Sequence, residues 1–178
     1  MPDSSQSALD ASQGGRFFGK YRGTVVNNFD SNARGRLQVT VPEVLGSSTP
    51  VWALPCVPYA GPGVGFHTMP PIGANVWVEF EAGNLRHPIW AGCFWVDGDI
   101  PAVDANPDVL FLRTAKAVIR VDDSIGEVLI ESGSAKITIT SSEVKIEAPT
   151  VTQDTKTGGK TTLTAAGFDA QDGALKVI

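Results

Sequence analysis

The chain has 178 residues, 42% of them hydrophobic and 19% charged, which is the composition of a folded protein of one or two domains. Its formal net charge is −5, so the excess of basic residues that attracts a phosphate backbone is missing and nucleic-acid binding is disfavoured. The chain contains no apolar run of the roughly 20 residues that span a membrane, and its start lacks the basic and apolar regions of a signal peptide. We therefore expect synthesis in the cytoplasm without a signal peptide.

The first 15 residues are mostly small and polar, with a single leucine, so we expect residues 1–15 to form a flexible arm. Beyond them, 19 glycines and 12 prolines are spread through the sequence, and no segment has a sustained helical period. Frequent turns between short alternating runs predict an all-β protein.

Residues 16–96 contain five runs with the pattern of β-strands, separated by glycine, proline and asparagine turns. The runs are Gly23-Thr24-Val25-Val26, Arg36-Leu37-Gln38-Val39-Thr40-Val41, Val51-Trp52-Ala53-Leu54, Asn75-Val76-Trp77-Val78-Glu79-Phe80 and Pro88-Ile89-Trp90-Ala91-Gly92-Cys93. Five strands in about 80 residues predict a small closed barrel such as an OB-fold. The glycine-rich stretch between Tyr59 and Phe66 precedes no Lys-Ser/Thr pair, so we predict a loop there without a phosphate-binding role.

All four tryptophans lie before residue 96, and the composition then shifts to aspartate, alanine and proline. We interpret residues 97–108 as a linker and residues 109–178 as a second domain. In this domain, apolar residues alternate with charged residues or threonine, and strand positions recur at Ile119, Val128, Ile137, Val144 and Val151, in steps of nine or seven residues.

A ribbon with one strand and one turn per repeat is too narrow to bury its own apolar face. Three ribbons wound together would bury these faces, pair the strand edges between chains and leave the charged residues outside. We therefore predict a homotrimeric, intertwined β-helix, or needle; the alternative is an antiparallel meander in a small β-domain. The predicted outer residues are Arg120, Glu127, Glu131, Lys136, Lys145 and Glu147. The predicted trimer core is Val118, Val121, Val128, Ile130, Ile137, Ile139, Val144 and Ile146.

After Val151 the sequence becomes rich in threonine and glycine, which is compatible with a tapering continuation of the needle. The chain ends on Leu175-Lys176-Val177-Ile178. Three such ends side by side would form a blunt apolar platform, so we predict that Leu175, Val177 and Ile178 contact a capping partner.

The order of motifs in the barrel region resembles a known family. The motifs are Tyr21-Arg22-Gly23, Asp30, Gly35-Arg36-Leu37-Gln38-Val39, Trp52-Ala53, the glycines of 61–65, Pro70-Pro71-Ile72-Gly73, Phe80-Glu81, Gly83, Pro88, Gly92 and Trp95. They are similar to the OB domain of the central spike of contractile tails and injection systems. This family includes phage baseplate assembly protein V, the VgrG spikes of type VI secretion and the spikes of extracellular injectors.

The resemblance implies a homotrimeric structural spike, mounted on a hub protein and an inner tube, that pierces the target envelope mechanically when the sheath contracts. It also implies that a PAAR-type tip protein or an effector caps the end. Residues 97–108 are too few to hold the lysozyme domain that some members insert, and two histidines are too few for a metal-binding tip. The hub domain that VgrG spikes carry is missing, so we expect the hub to be a separate protein.

Two other functions remain open from the residues alone. Glu79, Glu81, His67 and His87 are the candidate acid and base groups of a cell-wall hydrolase, but no nucleophile pattern accompanies them, so we expect no enzyme activity, cofactor or metal. A barrel of this size is also compatible with a carbohydrate- or surface-binding module. Cys56 and Cys93 are expected to be free thiols, with a disulfide as the alternative.

Overall fold

The computed structural model describes residues 15–155 and 157–170, and the backbone of residues 175–177. The chain divides into two compact units, Met1–Asp97 and Gly98–Ile178. Both are built from short strands, as the sequence predicts. The helical segments among the described residues are the single turn α1 (Pro42–Leu45) and a 3-10 turn at Glu81–Gly83. No helix in this part of the chain has the length and apolar composition needed to span a bilayer.

In the first unit, the described residues from 15 onward form seven strands. They are β1 (Tyr21–Asn27), β2 (Leu37–Val41), β3 (Gly46–Pro55), β4 (Ala60–Gly61), β5 (Val64–Gly65), β6 (Asn75–Phe80) and β7 (Pro88–Cys93). Five of them close a barrel in the order β1-β2-β3-β7-β6. The pairing of β3 with β7 is parallel and the other pairings are antiparallel. This confirms the predicted five-stranded, OB-like barrel, with β4 and β5 as a small hairpin beside it.

The barrel closes because its strands alternate between buried and partly exposed side chains. In β2, Leu37, Val39 and Val41 are completely buried, while the residues between them stay partly exposed. The period of two sends every second side chain into the barrel. The same alternation in the other strands completes the core, which consists of Val25, Leu37, Val39, Val41, Ala53, Val76, Val78, Phe80 and Trp90.

The second unit contains two antiparallel sheets. The first is a five-stranded meander formed by β8 (Val109–Arg113), β9 (Ala117–Asp122), β10 (Glu127–Ser132), β11 (Ala135–Ile139) and β12 (Val144–Glu147). The second is a four-stranded meander formed by β13 (Thr150–Asp154), β14 (Lys160–Thr164), β15 (Gly167–Ala170) and β16 (Leu175–Val177).

Two features of this unit bear on the sequence analysis. Each strand pairs with its sequence neighbours in the same chain, so the interior strand edges are satisfied without pairing to another chain. In addition, the segment interpreted as a linker belongs largely to the second unit, where the carboxylate of Asp104 is completely buried. The composition of this segment is that of a linker, but the buried carboxylate of Asp104 forms ion pairs with two arginines of the sheet that follows.

Candidate functional site

The register of the five-stranded sheet sorts its side chains onto two chemically different faces. Residues directly opposite each other across a ladder share a face, and alternate positions along a strand share it too. On one face, a short row contains Ala117, Ser132 and Ala135, and the two rows that cross all five strands from β8 to β12 contain ten aliphatic side chains. We call this set the apolar face: Leu110, Leu112, Ile119, Val121, Val128, Ile130, Ile137, Ile139, Val144 and Ile146.

The apolar face is open to solvent in the single chain. Seven of its ten side chains are exposed, from Leu110 at 67% to Ile139 at 39%, and the other three are only half-buried. Contiguous exposed aliphatic surface of this extent is typical of interaction sites, because covering it removes apolar area from water.

We call the opposite face the polar face because it carries the charged side chains, beside the apolar Val109, Phe111, Val118 and Leu129. All six charged residues that the sequence analysis placed outside the needle lie on it, as the register shows. On β12 the Lys145 ammonium lies 2.8 Å from the Glu147 carboxylate. This hydrogen-bonded pair raises the pKa of Lys145 and lowers that of Glu147. The two faces therefore differ in their affinity for water as the predicted needle requires.

Near the start of the sheet, the polar face is covered by the segment that precedes β8. The Asp104 carboxylate accepts hydrogen bonds from Arg113 Nη2 at 2.6 Å and Arg120 Nε at 3.1 Å. Arg120 also donates from Nη2 to Asp122 at 2.6 Å. Hydrogen bonds from Ser124 are the main cause of the lowered pKa of Asp122, and the Arg120 charge adds to it. This network holds the incoming chain on the polar face and away from the apolar one.

The structure corrects one residue of the predicted trimer core. Val118 pairs with Arg113 and Glu131, which places it on the polar face, where it is 7% exposed. The other seven predicted core residues lie on the apolar face. Ile119, and not Val118, lies on the apolar face beside Val121, because side chains on one face of a strand are two residues apart.

Leu110 and Leu112 of the apolar face were missed as core residues for a different reason. The strand Val109-Leu110-Phe111-Leu112 is apolar at four successive positions, so its own period does not say which side chains point to which side. Only its pairing with β9 assigns Leu110 and Leu112 to the apolar face.

The four-stranded sheet repeats the two-faced arrangement less strictly. Val151, Leu163 and Phe168 lie opposite one another in one row, and the neighbouring rows of the other face contain mainly threonine and charged residues. Of the residues predicted to contact a cap, Leu175 and Val177 belong to the edge strand β16, paired through the backbone with Ala170 and Phe168. Ile178 lies outside the described residues.

In the barrel, a single buried carboxylate organises the loop between β1 and β2. The Asp30 side chain is 3% exposed and accepts hydrogen bonds from Arg36 Nε and Nη2 at 3.1 and 2.7 Å. Backbone N–H groups of Asn32, Arg34 and Arg36 also donate to it. These donors, Arg36 first among them, hold the pKa of Asp30 far below its ordinary value despite the opposing effect of burial.

The same loop holds the tryptophan of β7 in place. Gly35, at φ +68°, is in the left-handed region that glycine tolerates, and its carbonyl accepts a hydrogen bond from Trp90 Nε1 at 3.2 Å. The Arg36 guanidinium lies 5.0 Å from the centre of the Trp52 ring. Asp30, Gly35 and Arg36 thus connect the loop to the barrel wall.

The candidate acid and base residues do not form one cluster. Glu79 pairs with Lys20, whereas Glu81 starts the 3-10 turn after β6 and lies 3.9 Å from His87, both of them exposed. His67 lies on the wall of an open groove beside the β4–β5 hairpin, with exposed Phe29, Tyr59 and Phe66 around it. Among the described residues, no group of three or more His, Cys, Asp or Glu side chains is placed to hold a metal ion. Cys56 and Cys93 are both free and exposed.

The barrel matches a known protein family. Residues 21–95 match the family model of the type VI secretion system/phage-baseplate injector OB domain. The barrel is similar to the injector OB domain. A search of curated proteins found no match to the chain.

The matched segment begins with β1 and ends two residues after β7, so it contains every strand of the closed barrel. The injector OB domain supports a structural role of the baseplate or spike type, in contact with other baseplate or tail components. It favours a non-enzymatic protein. The Asp30–Arg36 pair and Trp90 lie inside the matched segment, so the buried contacts of this loop belong to the matched barrel.

Proposed function

We propose that the chain is the central spike of a phage-tail baseplate or contractile injection system, acting as a homotrimer that pierces the target envelope when the sheath contracts. The observation that carries the proposal is the apolar face, ten aliphatic side chains in two continuous rows, in a chain whose other unit matches the injector OB domain. The function of such a protein is mechanical: it resists unfolding under load.

The shape of the apolar face favours three copies over two. It extends along five strands, about 24 Å at the usual strand spacing of about 4.8 Å, but is only two side chains wide, or three where Ala117, Ser132 and Ala135 lie beside it. Two such narrow faces stacked as a sandwich would leave both long flanks of the core open to water. Three faces set around one axis close each other's flanks, because every face meets a neighbour on each side.

The polar face supports the same arrangement. Its charged side chains would stay in solvent on the outside of the trimer, where they prevent further sheets from stacking, and the buried Asp104 network would lie on the same side, away from the core. The core of this trimer would contain Val121, Val128, Ile130, Ile137, Ile139, Val144 and Ile146, with Leu110, Leu112 and Ile119 added from the register.

The proposed partners follow from this position in the particle. The injector OB domains would mount the trimer on a hub protein and the inner tube, and a PAAR-type tip protein or effector would cover the end formed by Leu175, Val177 and Ile178. The target membrane would be touched only mechanically. The chain would reach its site by assembly into a phage tail or injector particle.

Electron microscopy of the purified full chain tests the proposal. If the chain forms a spike, end views of the particles should show three-fold symmetry, and side views should show a wide head and a narrow shaft. Compact particles of single-chain size would overturn it. As a test of the partners, affinity capture of the tagged chain from assembled particles should recover hub and inner-tube proteins.

A further inference from the structure

The four-stranded sheet carries a polar pair on its apolar side. Gln153 lies opposite Thr161, which lies opposite Ala170, and this row shares its face with Val151, Leu163 and Phe168, since the two rows are two residues apart. The side chains of Gln153 and Thr161 hydrogen-bond to each other across the strands at 3.2 Å between Thr161 Oγ1 and Gln153 Oε1.

The pair leaves hydrogen-bonding capacity unused within the chain. A glutamine side chain has two N–H donors besides its carbonyl oxygen. Among the described residues, the Gln153 amide nitrogen donates to none, and the side chain is exposed. On a face that other copies cover, this amide would need a partner from another copy, because an enclosed unpaired amide is strongly unfavourable.

The aliphatic rows alone do not determine how the copies align along the axis. The ten residues of the apolar face are Leu, Ile or Val at every position, and strand direction repeats every two strands. Sliding one copy past another by two strands, about 10 Å, therefore exchanges one aliphatic contact for another over most of the face. A polar residue in an otherwise apolar interface is a known means of fixing such a register, because slippage leaves it unpaired.

We propose that Gln153, supported by Thr161, determines the register of the trimer. Each Gln153 amide nitrogen donates a hydrogen bond to the Gln153 carbonyl oxygen of the next copy, so that three side chains close a ring at one height on the axis. Thr161 holds each Gln153 side chain in the orientation that the ring requires. This inference rests on the proposed trimer. It states that the row of Gln153 and Thr161 aligns the three chains along the axis.

Distance measurements between spin labels test the assignment. The label is placed on Thr150→Cys, on the polar face of the same sheet, in the full chain with Cys56→Ser and Cys93→Ser. Aligned copies form an equilateral triangle of labels and give a single narrow distance. Gln153→Leu with Thr161→Val should give a trimer with several distances, because slipped copies differ by about 10 Å along the axis.

A matched control removes the neighbouring cross-strand pair on the other face, Thr152→Leu with Thr162→Val, and should keep the single distance. The single variant Gln153→Leu serves as a second test in case the double variant does not fold. It should also broaden the distance distribution, with a thermal midpoint equal to or above that of the parent. A single narrow distance in the Gln153 variants would overturn the register assignment while leaving the trimer intact. If the parent chain is not a trimer, the proposed function itself fails.

Discussion

Two aspartates on the apolar face should abolish association of the chain. Ile137 and Ile139 lie on β11, between β10 and the edge strand β12. In the single chain, Ile137 is half-buried and Ile139 is 39% exposed. The perturbation is Ile137→Asp with Ile139→Asp. The control is Thr138→Asp, which places the same side chain on the same strand but on the polar face, opposite Lys145.

The magnitude follows from the exposed surface. Over the seven exposed side chains of the apolar face, the exposed fractions amount to about 3.6 complete side chains. At roughly 1.5–3 kcal/mol per side chain, covering them stabilises each copy by about 5–11 kcal/mol, or about 15–33 kcal/mol for three copies. Lost translational and rotational freedom opposes the two association steps by roughly 8–30 kcal/mol in total. The surface to be covered is thus of the same size as the cost of association, so two polar substitutions per copy are enough to prevent it.

The double variant removes six isoleucines from the trimer core and replaces them with six carboxylates, each of which is unfavourable there by several kcal/mol. Sedimentation velocity at matched concentration should show single chains for Ile137→Asp with Ile139→Asp and trimers for Thr138→Asp. Trimers of the double variant, or dissociation of the control, would refute the assignment of the two faces.

Three further substitutions test the contacts inside each unit, and one assay tests the absence of catalysis. Asp30→Asn should lower the thermal midpoint of the barrel at neutral pH. Because folding lowers the pKa of Asp30, the ionised carboxylate stabilises the barrel fully above the ordinary pKa of about 4, and this contribution fades as the pH falls below that value. The thermal midpoints of parent and variant should therefore converge in acid. Asp104→Asn should destabilise the second unit by about 1–3 kcal/mol in urea unfolding followed by circular dichroism, since Arg113 and Arg120 lose a buried charged acceptor. Leu37→Ala should destabilise the barrel by about 2–5 kcal/mol, measured by tryptophan fluorescence, because its side chain is completely buried. Peptidoglycan incubated with the purified chain should remain intact, and its degradation would contradict a purely mechanical role.

The barrel could be predicted well from the sequence because its strands are buried on one side only. In Arg36-Leu37-Gln38-Val39-Thr40-Val41 the buried positions follow the period of two directly. The parallel pairing of β3 with β7 could not be predicted in this way, because it joins strands more than 30 residues apart and depends on closure of the whole barrel. The glycine-rich loop proved to be the β4–β5 hairpin, with Gly63 in the left-handed conformation at its turn.

The second unit shows where alternation is insufficient. It identified the charged side of the sheet correctly, yet it misplaced Val118 because Ala117, Val118 and Ile119 are apolar in succession. The role of Asp104 had no signal in the sequence: an aspartate among alanine and proline is typical of a linker, and only the fold brings Arg113 and Arg120 to it. Pairing of the strands within one chain was the alternative that the sequence analysis left open.

The mass of the unmodified chain in solution tests the central claim most directly. Native mass spectrometry of the full-length protein, purified without denaturant, should give one species of three times the chain mass, since the apolar face is too narrow to be covered by fewer copies. A stable, folded species with the mass of one chain would contradict the account, because the ten aliphatic side chains of the apolar face would then remain in water.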